Sequence, residues 1–237
     1  MQRYFAKQRK GDIFILEKED YHHIKTVMRF KDGEKVQVVL ENTPYLCCIE
    51  DVQKEVKIRL LSQIEKTEEI GPEIVLLLPL LKEQKMDFVL QKATELGVHK
   101  IVPVMTERSI IKLKEEKVDK KIERWTKICK EASEQSYRTD IPEITEIMTY
   151  KSMPNWEGLK IVCSTTEKAK TIKSSLQKVT NCARIVIAVG PEGGLSEKEE
   201  SYLTGIGFEA VTLGNRIMRV ETVPIFILSI LNYERMR

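Results

Sequence analysis

The sequence predicts a protein of the α/β class in two parts, and three observations lead to this expectation. Short runs rich in β-branched residues occupy the first 70 residues, and strands at such spacing are typical of a small barrel. From residue 73 onwards, strand-like runs alternate with helical periodicity, which predicts a parallel sheet covered by helices on both faces. Two glycine-bearing stretches then follow late strand-like runs, at the edge where open sheets of this class bind ligands.

Residues 1–70 are expected to form the small β domain. The candidate strands are residues 13–16, 35–40, 45–49 and 56–60. Asp32-Gly33 and Asn42-Thr43-Pro44 are turn signals between them. The segment 62–72 is polar and ends in Gly-Pro, which predicts a linker, so we place the domain boundary after residue 70.

Residues 71–237 are expected to form the α/β domain. The candidate strands are residues 73–81, 98–105, 159–164, 184–189 and 210–212. Helical spacing predicts helices over residues 86–96, 118–132 and 167–179. Gly97 is a helix stop, and Ser196 with Glu199 forms a capping box that opens a further helix. The last helix, from about Thr222, is apolar on most sides and must be buried or covered by a partner subunit.

Composition and charge narrow the class of protein. No apolar run reaches the roughly 18 residues of a membrane helix, and the first residues lack the apolar core of a signal peptide. We therefore expect a cytoplasmic protein without a membrane partner. The net charge of +3 does not by itself indicate nucleic acid, but residues 1–10 carry four basic residues and no acidic one, a pattern that can neutralise phosphates.

The cysteines and histidines indicate neither a disulfide framework nor a metal site. The five cysteines are odd in number and contain no CxxC pair. His22 and His23 are adjacent, which is not the i, i+4 spacing that presents two ligands on one helix face. We expect buried reduced thiols and no metal.

The two glycine stretches are GPEGGL at residues 190–195 and LGNRIMRVETVP at residues 213–224. The first is neither a P-loop nor a GxGxxG fingerprint, because it lacks the lysine and hydroxyl of the former and lies on a late strand. Glycine lets a ligand approach the backbone closely and hydrogen-bond exposed N–H groups. The pair predicts one small-molecule site built mostly from main chain.

An ordered set of motifs resembles the RsmE family of 16S ribosomal RNA uridine-N3 methyltransferases, within the SPOUT superfamily. The set comprises MQRYF at the start, His23 followed by Val27-Met28-Arg29, residues 85–109, residues 134–144, GPEGGLSEKE and LGNRIMRVET. The chain departs from the family pattern at Tyr137, Met218, Val220, Val223 and in the segment 41–48.

The resemblance implies a fold, a reaction and partners. The implied fold is a PUA-like RNA-binding β-barrel over residues 1–70 and a SPOUT methyltransferase domain, tied in a trefoil knot, over residues 71–237. The implied reaction is methylation of N3 of one uridine in 16S ribosomal RNA, with S-adenosylmethionine as donor and no metal. The implied partners are the small ribosomal subunit and a second copy of the chain, bound through the C-terminal domain.

The resemblance also assigns residues to the donor. These are Thr165, Gly190, Glu192, Gly193, Gly194, Leu213, Gly214, Ile217 and Met218. Each has a structural alternative: a tight turn at positive φ for the glycines, ordinary core for Leu213 and Ile217, and a helix N-cap for Thr165.

Arg219 and Glu221 are the candidate catalytic pair. Uridine N3 is protonated at neutral pH, so an arginine near the base oxygens would stabilise the developing anion. A carboxylate, or a water that it orients, would take the proton, and Glu221 has this role or that of a structural brace. The alternative is a surface ion pair of little energetic value.

Arg3, Arg9 and Arg29 are the candidate RNA contacts, with Arg138 as a weaker one. The alternative for each is a solvated surface arginine. Two other functions stay open: a SPOUT methyltransferase that acts on another RNA position, and a non-catalytic RNA-binding relative.

Overall fold

A computed structural model describes residues 1–66, 71–109, 111, 115–176 and 182–235. The chain folds into two compact units. The first comprises Met1–Glu69 and Lys130–Asp140, and the second comprises Ile70–Cys129 and Ile141–Arg237.

The first unit is built on a six-stranded sheet. Its strands are β1 (Arg3–Phe5), β2 (Gln8–Lys10), β3 (Ile13–Ile15), β4 (Lys35–Leu40), β5 (Thr43–Glu50) and β6 (Lys57–Gln63). Their order is β1-β4-β5-β6-β3-β2, with β1 parallel to β4 and the other pairs antiparallel. The helix α1 (Lys18–His22) continues into a π-helical turn, His23–Val27. The predicted small β fold near the start of the chain is confirmed.

The hairpin between β4 and β5 corrects one predicted turn. The turn residues are Glu41 and Asn42, with φ of 49° and 59°, whereas Thr43 and Pro44 already belong to β5. Two successive residues at positive φ make the two-residue hairpin turn that matches the strand twist. The turn therefore begins one residue earlier in the chain than the predicted turn Asn42-Thr43-Pro44.

The second unit contains a six-stranded, fully parallel sheet. Its strands are β7 (Glu73–Pro79), β8 (Lys100–Val104), β9 (Glu143–Ile144), β10 (Leu159–Cys163), β11 (Arg184–Ala188) and β12 (Glu209–Val211). Their order is β12-β10-β11-β7-β8-β9. Its helices are α2 (Glu83–Glu95), α4 (Ile172–Leu176), α5 (Glu197–Gly205), α6 (Thr222–Arg235) and the first part of α3 (Val118–Gln135), whose residues 130–135 belong to the first unit. The predicted parallel α/β sheet is confirmed.

Apolar side chains cover both faces of this sheet. Alternate residues of β7 belong to two separate clusters: Ile74 and Leu76 to one, Val75 and Leu77 to the other. Since successive side chains of a strand point to opposite faces, a buried parallel strand is apolar at nearly every position. This explains why residues 73–81 read as a continuous apolar run.

The helix predicted over residues 167–179 is shorter in the structure. Only Ile172–Leu176 is helical among residues 167–176, and residues 177–179 lie outside the described part of the chain. The Glu167 carboxylate accepts the backbone N–H groups of Ala169 and Lys170 at 2.6 and 3.1 Å. Such local side-chain bonds compete with helical hydrogen bonds and favour a turn.

Candidate active site

Three loops meet at one edge of the parallel sheet. They follow β10, β11 and β12, which are neighbours in the order β12-β10-β11. Because parallel strands end at the same edge, the segments 164–171, 189–196 and 212–221 are brought together there. All nine donor-site candidates and the candidate catalytic pair lie on these three loops.

The loop after β11 is close-packed around its glycines. A Cβ atom on Gly190 would lie 3.0 Å from the backbone nitrogen of Leu195, so a side chain at this position would force the loop to shift. Gly194 has φ of +69°, which favours glycine. A Cβ atom on Gly193 would lie 3.4 Å from Cβ of Arg108. The tight-turn interpretation and a binding role are therefore both compatible with this loop.

Thr165 lies opposite this loop. Its Oγ1 atom is 3.8 Å from the position of a Cβ atom on Gly194, and its side chain is exposed. The N-cap alternative for Thr165 is wrong, because α4 begins only at Ile172. The turn is instead held by Ser164, whose Oγ accepts the N–H groups of Thr166 and Glu167 and donates to Glu200 at 2.6 Å.

Arg108 and Glu199 brace the glycine loop, and sequence reasoning missed Arg108. The Arg108 guanidinium donates to the carbonyls of Gly193 and Leu195 at 3.0 and 3.1 Å. The Glu199 carboxylate accepts the N–H of Ser196, as the capping box predicted, and also that of Glu107 at 2.9 Å. With two loop carbonyls engaged by Arg108, the orientation of the loop's peptide groups is fixed.

The loop after β12 is more open. Leu213 is half-buried and packs against the main apolar cluster of this unit. Gly214 has φ of +112° and open space around it. Met218 is half-buried, and Ile217 is 91% exposed. The core alternative is therefore wrong for Ile217, which projects an apolar side chain from a loop.

Lys85 links the two glycine loops, and it too was missed as a site residue. Its Nζ atom lies 3.1 Å from Oε1 of Glu192 and 3.1 Å from Oε2 of Glu221. The side chain comes from the first turn of α2. The only sequence signal was its place at the start of the matched segment 85–109.

The surroundings of Glu221 keep it ionised. Burial raises the pKa of Glu221, but its own backbone N–H, Lys85 and Arg219 together outweigh burial, so that the pKa lies below its ordinary value. Arg219 is exposed, and its backbone carbonyl accepts the N–H of Thr222 at 2.9 Å at the start of α6. Within the described residues its guanidinium makes no hydrogen bond, and it is therefore available to a ligand.

Two of the four arginines predicted to contact RNA are buried in this structure, which corrects their assignment. Arg3 is 6% exposed and donates to Gln37 Oε1 and to the carbonyls of Tyr137 and Arg138. Arg138 is 5% exposed and pairs with Asp140 at 2.7 Å. Both guanidiniums are used inside the first unit, where they fix the segment 137–140 and strand β1.

Arg9 and Arg29 remain on the surface of the first unit. The Arg9 guanidinium lies 5.8 and 5.9 Å from the ring centroids of Phe14 and Tyr45. Arg29 is exposed and has φ of 53°, directly after exposed Val27 and Met28. This positive φ ends the π-helical turn, since the N–H of Phe30 then donates to the carbonyl of Ile24 at 3.1 Å.

A search of the described ranges finds no group of three or more histidine, cysteine or acidic side chains placed to hold a metal ion. Within the described residues none of the five cysteines forms a disulfide, and Cys47 and Cys129 are buried. In the same ranges no helix is both long and apolar enough to span a bilayer.

Comparisons with known proteins match nearly the whole chain. A family model described as an RNA methyltransferase domain matches residues 68–232, and one described as an RNA methyltransferase PUA domain matches residues 16–61. The ribosomal RNA small subunit methyltransferase E of Bacillus subtilis is 34% identical, over 99% of this chain and 97% of its own length. That of Mesomycoplasma hyopneumoniae is 33% identical over 97% and 98%.

Solved structures agree in fold over the same length. A ribosomal RNA small subunit methyltransferase E from Neisseria gonorrhoeae, bound to S-adenosylmethionine, has a TM-score of 0.86 at 29% identity and covers 99% of this chain and 98% of its own. A protein from Legionella pneumophila, solved in complex with the same cofactor, has a TM-score of 0.88 at 30% identity and covers 99% of this chain and 98% of its own.

Proposed function

This chain belongs to the family of ribosomal RNA small subunit methyltransferases E, and on that premise we propose that it methylates N3 of one uridine in 16S ribosomal RNA. The coarser activity, S-adenosylmethionine-dependent methylation of ribosomal RNA, follows from family membership and from the donor bound in relatives of similar fold. The proposal is that the methylated atom is N3 and that the nucleotide is one particular uridine.

The convergence of three loops is the observation that carries the proposal. Gly194 faces Thr165 across a space that a side chain would enter, and the loop after β12 lies on the neighbouring strand. The glycines give close access to backbone groups, as an adenosine moiety with few charges requires. The residues present therefore fit the donor.

We assign the donor site to these loops. It comprises Thr165, Gly190, Glu192, Gly193, Gly194, Leu213, Gly214, Ile217 and Met218. Half-buried Leu213 and Met218 offer apolar contact to the donor. We propose that exposed Ile217 covers the donor when it is bound.

The chemistry divides between a donor and two side chains of this chain. S-adenosylmethionine supplies an electrophilic methyl group on a sulfonium. Arg219, whose guanidinium is exposed and free of hydrogen bonds among the described residues, stabilises the uracil anion at its oxygens. Glu221 is ionised and held by Lys85, so it serves best as an oriented acceptor of the N3 proton, directly or through water, and as a brace for Arg219. Holding donor and base close and aligned supplies most of the rate enhancement.

RNA binding is assigned to the first unit. The exposed Arg9 and Arg29 are the proposed phosphate contacts, and the substrate is the RNA of the small ribosomal subunit in the cytoplasm. Buried Arg3 and Arg138 position the segments around them and are not part of this proposed contact.

Two further features stay proposals. One is a homodimer through the C-terminal domain, for which the half-buried apolar residues Val223, Phe226 and Ile230 of α6 give support. The other is the trefoil knot of residues 71–237, which the family resemblance alone implies. Light scattering of the purified protein tests the dimer.

The decisive experiment is methyl transfer to unmodified small ribosomal subunits. The protein is incubated with methyl-labelled S-adenosylmethionine, and the product is mapped by nucleoside mass spectrometry. N3-methyluridine at one site is the expected result. Label on a ribose, on another base atom or on transfer RNA would show that the chain methylates a different RNA position. Absence of label together with absence of donor binding would leave a non-catalytic RNA-binding relative.

A further inference from the structure

One ammonium group serves two carboxylates at the candidate active site. Lys85 Nζ lies 3.1 Å from Glu192, in the loop after β11, and 3.1 Å from Glu221, in the loop after β12. Both glutamates raise the pKa of Lys85, Glu221 contributing most. The ammonium group of this lysine therefore pairs with carboxylates on two loops that follow separate strands.

The position of Lys85 is unfavourable for the helix that carries it. Lys85 is the third residue of α2, and its N-cap is Lys82, which makes no side-chain capping bond. Cations in the first helical turn oppose the helix dipole, and lysine cannot accept a bond from the free N–H groups there. A residue type that destabilises its own helix is expected at a position where the side chain has a functional role.

We propose that Lys85 is a positioning residue that joins the donor loop to the loop of Arg219 by neutralising Glu192 and Glu221 together. It touches neither the donor nor the RNA. Its effect is to hold the donor-binding glycines and the anion-stabilising arginine in one arrangement. The proposal rests on the proposed function, because it takes these two loops as the donor site and the catalytic loop.

The physical reason is the repulsion that the lysine removes. Without the ammonium, two carboxylates within reach of one nitrogen atom would face each other in a partly buried site, since their side chains are 30% and 17% exposed. Like charges at this distance repel, and poor access of water strengthens the effect. The loops would separate, and donor binding and turnover would fall together.

The test compares Lys85→Met with Lys82→Met and Lys85→Arg. Lys82 is an exposed lysine at the same end of α2 and, within the described residues, has no ion pair, so its variant is the matched control. Donor affinity is measured by calorimetry without RNA, and the folded state is checked by thermal unfolding. We expect Lys85→Met to weaken donor binding by tenfold or more and to lower kcat further. Lys82→Met should match the wild type, and Lys85→Arg, which keeps a cation that can fork between two carboxylates, should restore most of the loss.

A second variant separates charge neutralisation from direct contact. If repulsion is the cause, Glu192→Gln in the Lys85→Met background should recover donor affinity, although Glu192→Gln alone weakens it or leaves it unchanged. Equal donor affinities for Lys85→Met and Lys82→Met would overturn the proposal. Additive losses would also overturn it: if Glu192→Gln lowers donor affinity in the Lys85→Met background by as much as it does alone, the lysine and the glutamate act independently. Wild-type donor binding and methyl transfer are measured in the same series, so a failure of the proposed function is seen separately.

Discussion

The hydroxyl oxygen of Thr165 lies 3.8 Å from the place where Gly194 would carry a Cβ atom. The loops after β10 and β11 thus meet across a residue without a side chain. Gly194 also has a positive φ, so both its conformation and its missing side chain suit a surface against which a ligand lies.

The glycines of the donor loop should differ in their tolerance of alanine. Gly190→Ala places a Cβ atom 3.0 Å from backbone nitrogen, and we expect a loss of about 1–3 kcal/mol in the free energy of unfolding together with lost donor binding. Gly193→Ala meets only side-chain carbons of Arg108, at 3.4 and 3.6 Å, and no backbone atom, so it should be milder. The control is Gly205→Ala at the end of α5, where nothing lies within 4 Å. Chemical unfolding and calorimetry measure the series, and equal losses for Gly190 and Gly205 would contradict it.

Arg219→Ala should separate catalysis from donor binding. The guanidinium is exposed and makes no hydrogen bond within the described residues, so its removal leaves the loop's own contacts in place. We expect kcat to fall by roughly 10²–10³-fold, as for the loss of one oxyanion donor, with donor affinity nearly unchanged. Arg216→Ala, an exposed neighbour in the same loop, is the control. Near-normal turnover of Arg219→Ala would remove the proposed role.

Replacing Arg9 and Arg29 together by alanine should make RNA binding less dependent on salt. Each phosphate contact contributes about 0.7–0.9 to the slope of log affinity against log salt, so the slope should decrease by about 1.5. The matched control removes Lys57 and Arg59, which are already paired with Asp51 and Glu50. Filter binding to ribosomal RNA over a range of salt concentrations gives both slopes. An unchanged slope in the Arg9/Arg29 variant would exclude this surface.

Glu134 should make the stability of the protein depend on pH. Burial raises its pKa to about 7, although Lys130 lowers it, and Asp20 adds to the increase. Because the folded-state pKa lies above the ordinary pKa of a glutamate, 4.5, the folded protein keeps a proton that the unfolded chain releases between those pH values. The free energy of unfolding therefore falls as pH rises from about 4.5 to 7, by up to about 3 kcal/mol.

Glu134→Gln should flatten that dependence and stabilise the protein above pH 7. Urea unfolding at several pH values between 5 and 8 measures it, with exposed Glu131→Gln on the same helix as control. If the Glu134→Gln and wild-type profiles run parallel, the carboxyl does not titrate in this window.

Local signals in the sequence were enough to predict most strands of the two sheets. Residues 35–40 form β4 as predicted, and Gly97, at φ of 83°, ends α2. The short strands β1 and β2 were missed because they contain no β-branched residue, unlike the equally short β3. Strand β1 is defined by its pairing with β4, for example Arg3 with Gln37.

The sequence predicted the parts of the candidate site that lie on motifs. It did not predict the contacts between residues that are far apart in the chain. The glycine loops were found from their residues and family resemblance. Lys85 and Glu192 are 107 residues apart, and Arg108 and Gly193 are 85 apart, so no local pattern connects them. Arg3 read as a surface cation because its acceptors, the carbonyls of Tyr137 and Arg138, come from a distant segment.

The strand order has a consequence for how the chain is made. Strand β7 has β8 on one edge and β11 on the other, and the bond between Glu73 and Arg184 joins residues 111 positions apart. During synthesis, one edge of this apolar strand stays open until residue 184 leaves the ribosome, and an open apolar edge is a template for aggregation. Such distant pairing also slows folding. The nascent enzyme is thus expected to depend on chaperones most while its central strand still lacks a neighbour.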